Sequence, residues 1–125
     1  MILIIGGCEQ GKLDYALQHF NARRGDVFTC DAEGPVDLSR RVIEHIERFA
    51  LGCVRRGESP EAFWQANMDR LTDKVLIADD ISCGVVPVDP QLRAWREASG
   101  RANLLLAGRA DRVVRVFCGL GLNLK

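Results

Sequence analysis

Uninterrupted apolar runs alternate along this chain with segments in which apolar residues recur every three or four positions. Met1–Ile5 and Val75–Ala78 are runs of mainly aliphatic residues, which are typical of strands covered on both faces. Val27–Cys30 and Val113–Cys118 are runs of the same kind, and Gly119–Leu124 is a candidate for a short last strand. These segments predict one sheet.

Four segments between the runs have helical character. Lys12–Asn21 follows the first strand, and the last helix is predicted from about Gln91 to Ala107. Ser59-Pro60 supplies a favoured N-cap and first helical residue for a helix that runs to about Leu71. A long helix before it is predicted from five apolar residues on one stripe: Leu38, Val42, Ile46, Phe49 and Cys53. The resulting order, β-α-β-α-α-β-α-β with the candidate last strand, predicts an α/β fold of three layers, a mostly parallel sheet flanked by helices.

The composition is sufficient for an ordinary hydrophobic core, and it limits the classes of partner that the protein is expected to bind. The chain has 125 residues, of which 47% are apolar, and its 17 basic and 17 acidic side chains give no net charge. A balanced charge offers no basic surface for nucleic acid, so we expect no nucleic-acid partner. Ile2–Ile5 is far too short for a membrane span, which needs about 20 apolar residues. We therefore expect residues 1–125 to form one domain of a cytoplasmic protein.

The number and spacing of the cysteines also indicate a cytoplasmic protein. They number five, with no C-x-x-C pair: Cys8, Cys30, Cys53, Cys83 and Cys118. An odd number without close spacing argues against a disulfide framework and against a zinc knuckle. We expect them to be reduced thiols in the core.

A glycine-rich loop joins the first strand to the first helix. It matches the phosphate-loop pattern G-x-x-x-x-G-K in the required context, and with the next residue it comprises Gly6, Gly7, Cys8, Glu9, Gln10, Gly11, Lys12 and Leu13. Backbone N–H groups at a helix N-terminus bind phosphate, and Lys12 would neutralise the terminal phosphates. The loop therefore predicts a nucleotide site. The alternative is an ordinary glycine-rich turn with an exposed lysine.

Two residues of this loop depart from the usual pattern. The position after Lys12 is commonly Ser or Thr, whose hydroxyl binds Mg²⁺, but here it is Leu13. Glu9 places a carboxylate in the loop, where it repels phosphate unless it points outward. The sequence therefore supports nucleotide binding better than it supports catalysis.

Three carboxylates follow predicted strands and are candidate Mg²⁺ ligands. Asp79 and Asp80 come directly after Val75–Ala78, and Asp31 follows Val27–Cys30 in the same way. Ligands of α/β proteins bind at the carboxyl edge of the sheet, where carboxylates can hold Mg²⁺. The alternative is that each aspartate caps a turn.

Arginines and histidines are the remaining candidates. Arg93, Arg96 and Arg101 lie on the last predicted helix and can clamp phosphate by bidentate hydrogen bonds. The alternative for them is a solvated helix face. His19 and His45 are both predicted on helices, as satisfied or solvated side chains.

Several motifs, in order, resemble the bifunctional adenosylcobinamide kinase / adenosylcobinamide-phosphate guanylyltransferase family. The family's loop, G-G-x-x-S-G-K-S, is matched at Gly6, Gly7, Gly11 and Lys12. Its strand-end motif, N-E-V/I-G-x-G-I/V-V-P, is echoed by Asp79, Asp80, Gly84, Val86 and Pro87, although Ser82 replaces the first glycine. An R-E-x-x-G-R segment at Arg96–Arg101 and a closing G-x-G-x-x-x-K at Gly119–Lys125 complete the resemblance.

This resemblance implies a P-loop (RecA-like) domain and a nucleotide-dependent transferase of cobalamin biosynthesis. Such enzymes phosphorylate adenosylcobinamide with GTP or ATP, then transfer GMP from GTP to adenosylcobinamide phosphate through a histidine. The implied partners are a nucleotide, Mg²⁺, a corrinoid and further copies of the chain. Lys12 and Asp80 would be catalytic.

The family's guanylyl-carrying histidine has no counterpart in this sequence. Only Ala22–Asp26 separate the first helix from the next strand, so the segment that carries that histidine is deleted, and neither His19 nor His45 matches its motif. A non-catalytic nucleotide- or corrinoid-binding regulatory or scaffold protein is therefore the main alternative. A different P-loop kinase with another small substrate is a third hypothesis.

Overall fold

The computed structural model describes residues 1–82 and 84–125. Within them, one sheet has the strand order β2-β3-β4-β1-β5-β6. The strands are β1 (Ile2–Gly6), β2 (Val27–Thr29), β3 (Val42–Glu44), β4 (Val75–Asp79), β5 (Arg112–Phe117) and β6 (Leu120–Asn123). The helices are α1 (Lys12–His19), α2 (Ile46–Arg55), α3 (Pro60–Ala66) and α4 (Pro90–Arg109). Neighbouring strands are parallel, except that β6 runs antiparallel beside β5.

The central strands are covered on both faces. Successive side chains of a strand point to opposite faces, and Leu3 accordingly packs in a cluster with Phe49 of α2 and Leu106 of α4. Ile4 packs on the other face, in a cluster with Ala16 of α1. The predicted fold class, a mostly parallel sheet flanked by helices, is confirmed.

The predicted long helix over the Leu38–Cys53 stripe is wrong. Val42–Glu44 is strand β3, which lies between β2 and β4, and α2 begins only at Ile46. Val42 and Ile43 are both completely buried because both faces of this short strand are covered. A buried run of so few residues fits a helical stripe equally well, so periodicity could not separate the two structures. The sheet therefore has one more parallel strand than predicted, and His45 lies at the carboxyl edge of the sheet and not on a helix surface.

The other helices agree better with prediction. The Ser59 hydroxyl accepts a hydrogen bond from the Ala62 N–H at 3.1 Å, which is the predicted N-cap. That helix ends at Ala66, and a 3₁₀ turn at Met68–Leu71 fills the rest of the predicted span. None of the helices in the described part of the chain has the length and apolar character that crossing a bilayer requires.

The four cysteines among the described residues form two groups by burial. Cys30 and Cys53 are buried, as predicted, whereas the core placement predicted for Cys8 and Cys118 is wrong because both are exposed. Cys83 lies outside the described residues. Burial, reinforced by nearby carboxylates, raises the pKa of the Cys30 thiol to about 12, and burial also raises the pKa of Cys53.

These environments predict selective alkylation of the folded protein. Only the thiolate reacts, and a raised pKa leaves little thiolate at pH 8. Iodoacetamide at pH 8 is therefore expected to modify Cys8 and Cys118 long before Cys30 or Cys53, as measured by mass spectrometry of peptides. All four should react in denaturant. Equal rates for Cys30 and Cys8 in the native protein would contradict the assignment.

Candidate phosphate-binding site

The loop after β1 adopts a conformation that needs glycine at two positions. A Cβ on Gly6 would lie 2.3 Å from the backbone oxygen of Val116 in β5, so no side chain fits there. Gly11, the N-cap of α1, has φ of +86°, in the left-handed region that glycine favours. Gly6 and Gly11, the two glycines of the G-x-x-x-x-G-K pattern, are thus required by close packing and by a left-handed backbone conformation, respectively.

Several backbone N–H groups of this loop find no acceptor among the described residues. Within residues 1–82 and 84–125, the N–H groups of residues 8–11 donate no hydrogen bond. The loop is instead held through acceptors of Gln10: its carbonyl accepts from the Gly119 N–H and its Oε1 accepts from the Cys118 N–H, both at 2.8 Å. The N–H groups therefore remain available to an anion at the N-terminus of α1.

Lys12 is the first residue of α1 and its side chain is 6% exposed. Its Nζ lies 2.6 Å from Asp79 Oδ1 and donates a hydrogen bond to the Gly7 carbonyl. Lys12 is thus not the exposed lysine of an ordinary turn. A buried cation lies against the loop, held there by the aspartate that ends β4.

His45 lies beside this ion pair. It follows β3 with φ of +57°, a conformation that is uncommon for a residue other than glycine. Its Nδ1 is 2.9 Å from Glu47 Oε1 and 3.9 Å from Asp79 Oδ2. Glu47, in the first turn of α2, is 5% exposed, and its Oε2 accepts the Asp79 N–H at 3.0 Å. The ends of β1, β3 and β4 thus bring together one ammonium, one imidazole and two carboxylates.

An open pocket of about 300 Å³ lies in front of these groups. It is lined by Glu9, Gln10, Gly11, Lys12, Leu13, Asp14, Arg24, Glu44, His45, Ile77 and Asp79. The lining is mostly polar: the cations Lys12 and Arg24 and the imidazole of His45 lie among four carboxylates, Glu9, Asp14, Glu44 and Asp79. A phosphate chain therefore suits the side of the pocket formed by the loop and Lys12, while the carboxylates suit a cation bound with it.

The three predicted metal ligands do not converge. Asp79 lines the pocket, but Asp80 turns away, and its Oδ1 accepts hydrogen bonds from the N–H and hydroxyl of Ser82. Asp31 is exposed, and its Oδ1 accepts from the N–H groups of Glu33 and Gly34 in its own loop. Two of the three aspartates therefore stabilise turns, which was the alternative considered for each.

The predicted arginine clamp is also placed elsewhere. The Arg96 guanidinium donates to the carbonyls of Ser82 and Val85 and so holds the loop after β4. Arg101 pairs with Glu61 at 3.9 Å, and Arg93 is exposed on α4. None of these three arginines lines the pocket.

The sequence analysis did not single out Arg24, Glu44 or Glu47, and it placed His45 on a helix as a satisfied or solvated side chain. The available signal was the polar run Glu44-His45-x-Glu47 directly after the apolar pair Val42-Ile43, the same arrangement that singled out Asp79 after β4. Because Leu38–Cys53 was predicted as one helix, this polar run was not recognised as the end of a strand.

A glycine-rich loop and a buried lysine, at the carboxyl edge of a parallel sheet, define an α/β protein of the P-loop class. The family model for cobinamide kinase / cobinamide phosphate guanyltransferase matches residues 55–124, more than half of the chain, and the chain belongs to this family. It is similar to the bifunctional adenosylcobalamin biosynthesis protein CobU of Salmonella typhimurium, with 33% identity over 94 residues. That match covers 62% of this chain and 50% of the relative, so the chain spans about half the length of this curated relative. The family resemblance inferred from the motifs is confirmed.

Proposed function

We propose that this chain is a nucleotide-dependent transferase of cobalamin biosynthesis. It holds the phosphates of GTP or ATP on the loop before α1 and transfers a phosphoryl or guanylyl group to a corrinoid acceptor, adenosylcobinamide or its phosphate. The observation that carries this proposal is that the N–H groups of residues 8–11, beside the buried Lys12, bond to no residue that the structure describes. Family membership supports the choice of reaction.

The residues at the pocket suit this reaction because phosphoryl transfer depends mainly on positioning and charge neutralisation. The loop N–H groups bind the phosphate oxygens. Lys12 exchanges the Gly7 carbonyl for a phosphate oxygen and stays oriented by Asp79. In the kinase step a bond forms between the acceptor oxygen and the γ-phosphorus, and the bond from that phosphorus to the bridging oxygen breaks. The acceptor hydroxyl proton leaves to a base, and the negative charge that develops on the nucleotide diphosphate lies next to Lys12.

Mg²⁺, which such reactions commonly use, finds a limited set of donors here. Asp79 supplies an oxygen at the pocket, whereas Leu13 supplies none and Asp80 is bonded to Ser82. Of the three aspartates predicted as ligands, Asp79 is therefore the one that would hold Mg²⁺, which neutralises triphosphate charge when bound.

A non-catalytic nucleotide-binding protein is the second candidate. Leu13 favours it, because this side chain lines the pocket where a metal-binding hydroxyl is usual. Labelled GTP separates the two functions. Turnover with adenosylcobinamide or its phosphate supports the transferase, whereas saturable binding without chemistry supports the binding protein.

Nucleotide affinity tests the part that both candidates share. GTP or ATP is expected to bind at least about tenfold more tightly than AMP, because additional phosphate oxygens accept charge-assisted hydrogen bonds from the loop and Lys12. Isothermal titration calorimetry with GTP, ATP and AMP, each with and without Mg²⁺, measures the difference. Equal, negligible affinity for all three would refute nucleotide binding.

A further inference from the structure

The groups His45, Glu47 and Asp79 have the composition of a transition-metal site. One donor atom from each lies within 4.8 Å of the donors of the other two. An ion bound at usual distances of about 2.0–2.2 Å holds its ligand atoms about 3–4 Å apart. His45 Nδ1 already lies 3.9 Å from Asp79 Oδ2, whereas its 2.9 Å hydrogen bond to Glu47 Oε1 would open slightly and be replaced by bonds to the ion.

Each of the two carboxylates has one oxygen for an ion and another contact that fixes its direction. Asp79 contacts Lys12 through Oδ1, which leaves Oδ2 facing His45. Glu47 accepts the Asp79 N–H through Oε2, which leaves Oε1 facing His45. The backbone of Glu47 is held as well, since its carbonyl accepts the Trp95 indole N–H at 2.6 Å. An ion can therefore enter between three donor atoms without breaking the contact of Lys12 with Asp79.

Burial makes this arrangement costly unless an opposite charge is nearby. Glu47 is 5% exposed and Asp79 is 15% exposed, and the two carboxylates are close together. Lys12 compensates one of these charges. Among residues 1–82 and 84–125, the His45 imidazole is the one partner of Glu47 Oε1. A divalent cation would balance the remaining negative charge.

We propose that His45, Glu47 and Asp79 bind a divalent transition-metal ion, with Zn²⁺ as the representative case. One imidazole nitrogen and two carboxylate oxygens suit Zn²⁺ and its neighbours in the first transition row, whereas Mg²⁺ prefers an all-oxygen set. Three protein ligands leave a fourth position for water or a phosphate oxygen, and two of the ligands, His45 and Asp79, line the same pocket as the phosphate loop. This site goes beyond the proposed function because the three residues bind the ion without a nucleotide.

The test measures Zn²⁺ affinity in the absence of nucleotide, by competition with a fluorescent chelator. We expect one ion per chain, not displaced by excess Mg²⁺. His45→Gln and Glu47→Gln should each lower the affinity by more than about tenfold, since loss of even an outer-sphere partner costs that much. His19→Gln is the matched control, because His19 is exposed on α1 and should leave the affinity unchanged. A Cys8→Ser/Cys118→Ser variant, which removes the exposed thiols that also bind Zn²⁺, should likewise retain the site.

Wild-type protein gives a second measurement that does not depend on how the variants fold. In NMR spectra of the imidazole groups, Zn²⁺ should shift the His45 signals and leave those of His19 in place. The proposal is overturned by weak or absent Zn²⁺ binding, by unchanged affinity of His45→Gln, by loss of binding in the cysteine variant, or by unmoved His45 signals. Zn²⁺ binding without GTP binding would sustain this site and refute the proposed function, and the reverse result would do the opposite.

Discussion

Replacing Lys12 by Met is expected to lower the affinity for GTP by about 10- to 100-fold, because a charged hydrogen bond to phosphate contributes about 1.5–3 kcal/mol. Methionine keeps most of the buried stem of the lysine and removes only its charge and donors. The same change leaves Asp79 buried without its cation, so the free energy of unfolding should fall by about 3 kcal/mol. Calorimetric titration and urea denaturation measure the two effects separately.

Two further variants show whether the lost affinity is local. Lys12→Met/Asp79→Asn removes both charges, so it should recover much of the stability but none of the affinity. Lys74→Met, at the opposite end of β4 from Asp79, should bind GTP like the wild type. If the double variant binds GTP normally, Lys12 contributes only to folding and its assignment to the phosphate is wrong.

Replacing Gly6 by Ala is expected to destabilise the protein about as much as Lys12→Met, through a steric clash. The new methyl group would lie 2.3 Å from the backbone oxygen of Val116, which belongs to the neighbouring central strand and cannot rotate away. We expect the free energy of unfolding to fall by about 3 kcal/mol, the upper end of the range for overpacking. Because the separation of β1 from β5 would also shift the loop, GTP affinity should decrease as well.

Gly100→Ala is the matched control for this substitution. Gly100 lies in the interior of α4, and a Cβ there would meet no atom within 4 Å. The same added methyl group should therefore stabilise the protein, by about 0.5–1 kcal/mol, through the higher helix propensity of alanine. Urea denaturation of both variants compares the two. Equal effects at the two positions would show that backbone entropy, and not the clash at Gly6, determines the result.

The parts of the fold that were predictable are those with a strong local signal. Met1–Ile5 and Val75–Ala78 are continuous aliphatic runs, and both are central strands. The glycine-rich loop was identified because its pattern sits between such a run and a helix. Strand β3 has only three residues and makes its contacts with segments far away in sequence, so no local period identifies it.

The candidate site was only partly predictable for a related reason. Adjacent residues at a strand end point in opposite directions, so Asp79 and Asp80 could not both face the loop, and only the sheet order decides which one does. Asp31 follows a strand as well, but it lies two residues beyond Thr29 and forms a turn with Glu33. His45 could be predicted as a site residue only if β3 was recognised as a strand.

Lys12 begins the helix that follows β1, His45 follows β3 and Asp79 ends β4. These residues come from well-separated parts of the chain and meet only once β1, β4 and β3 lie side by side. A collapsed intermediate with its helices formed but these strands unpaired has no pocket at all. Any ligand of the pocket consequently binds only the protein in which these strands are paired, so the melting temperature rises as the ligand concentration is increased. A rise in melting temperature on adding a small molecule that binds the pocket would thus show that the strands have assembled in this order.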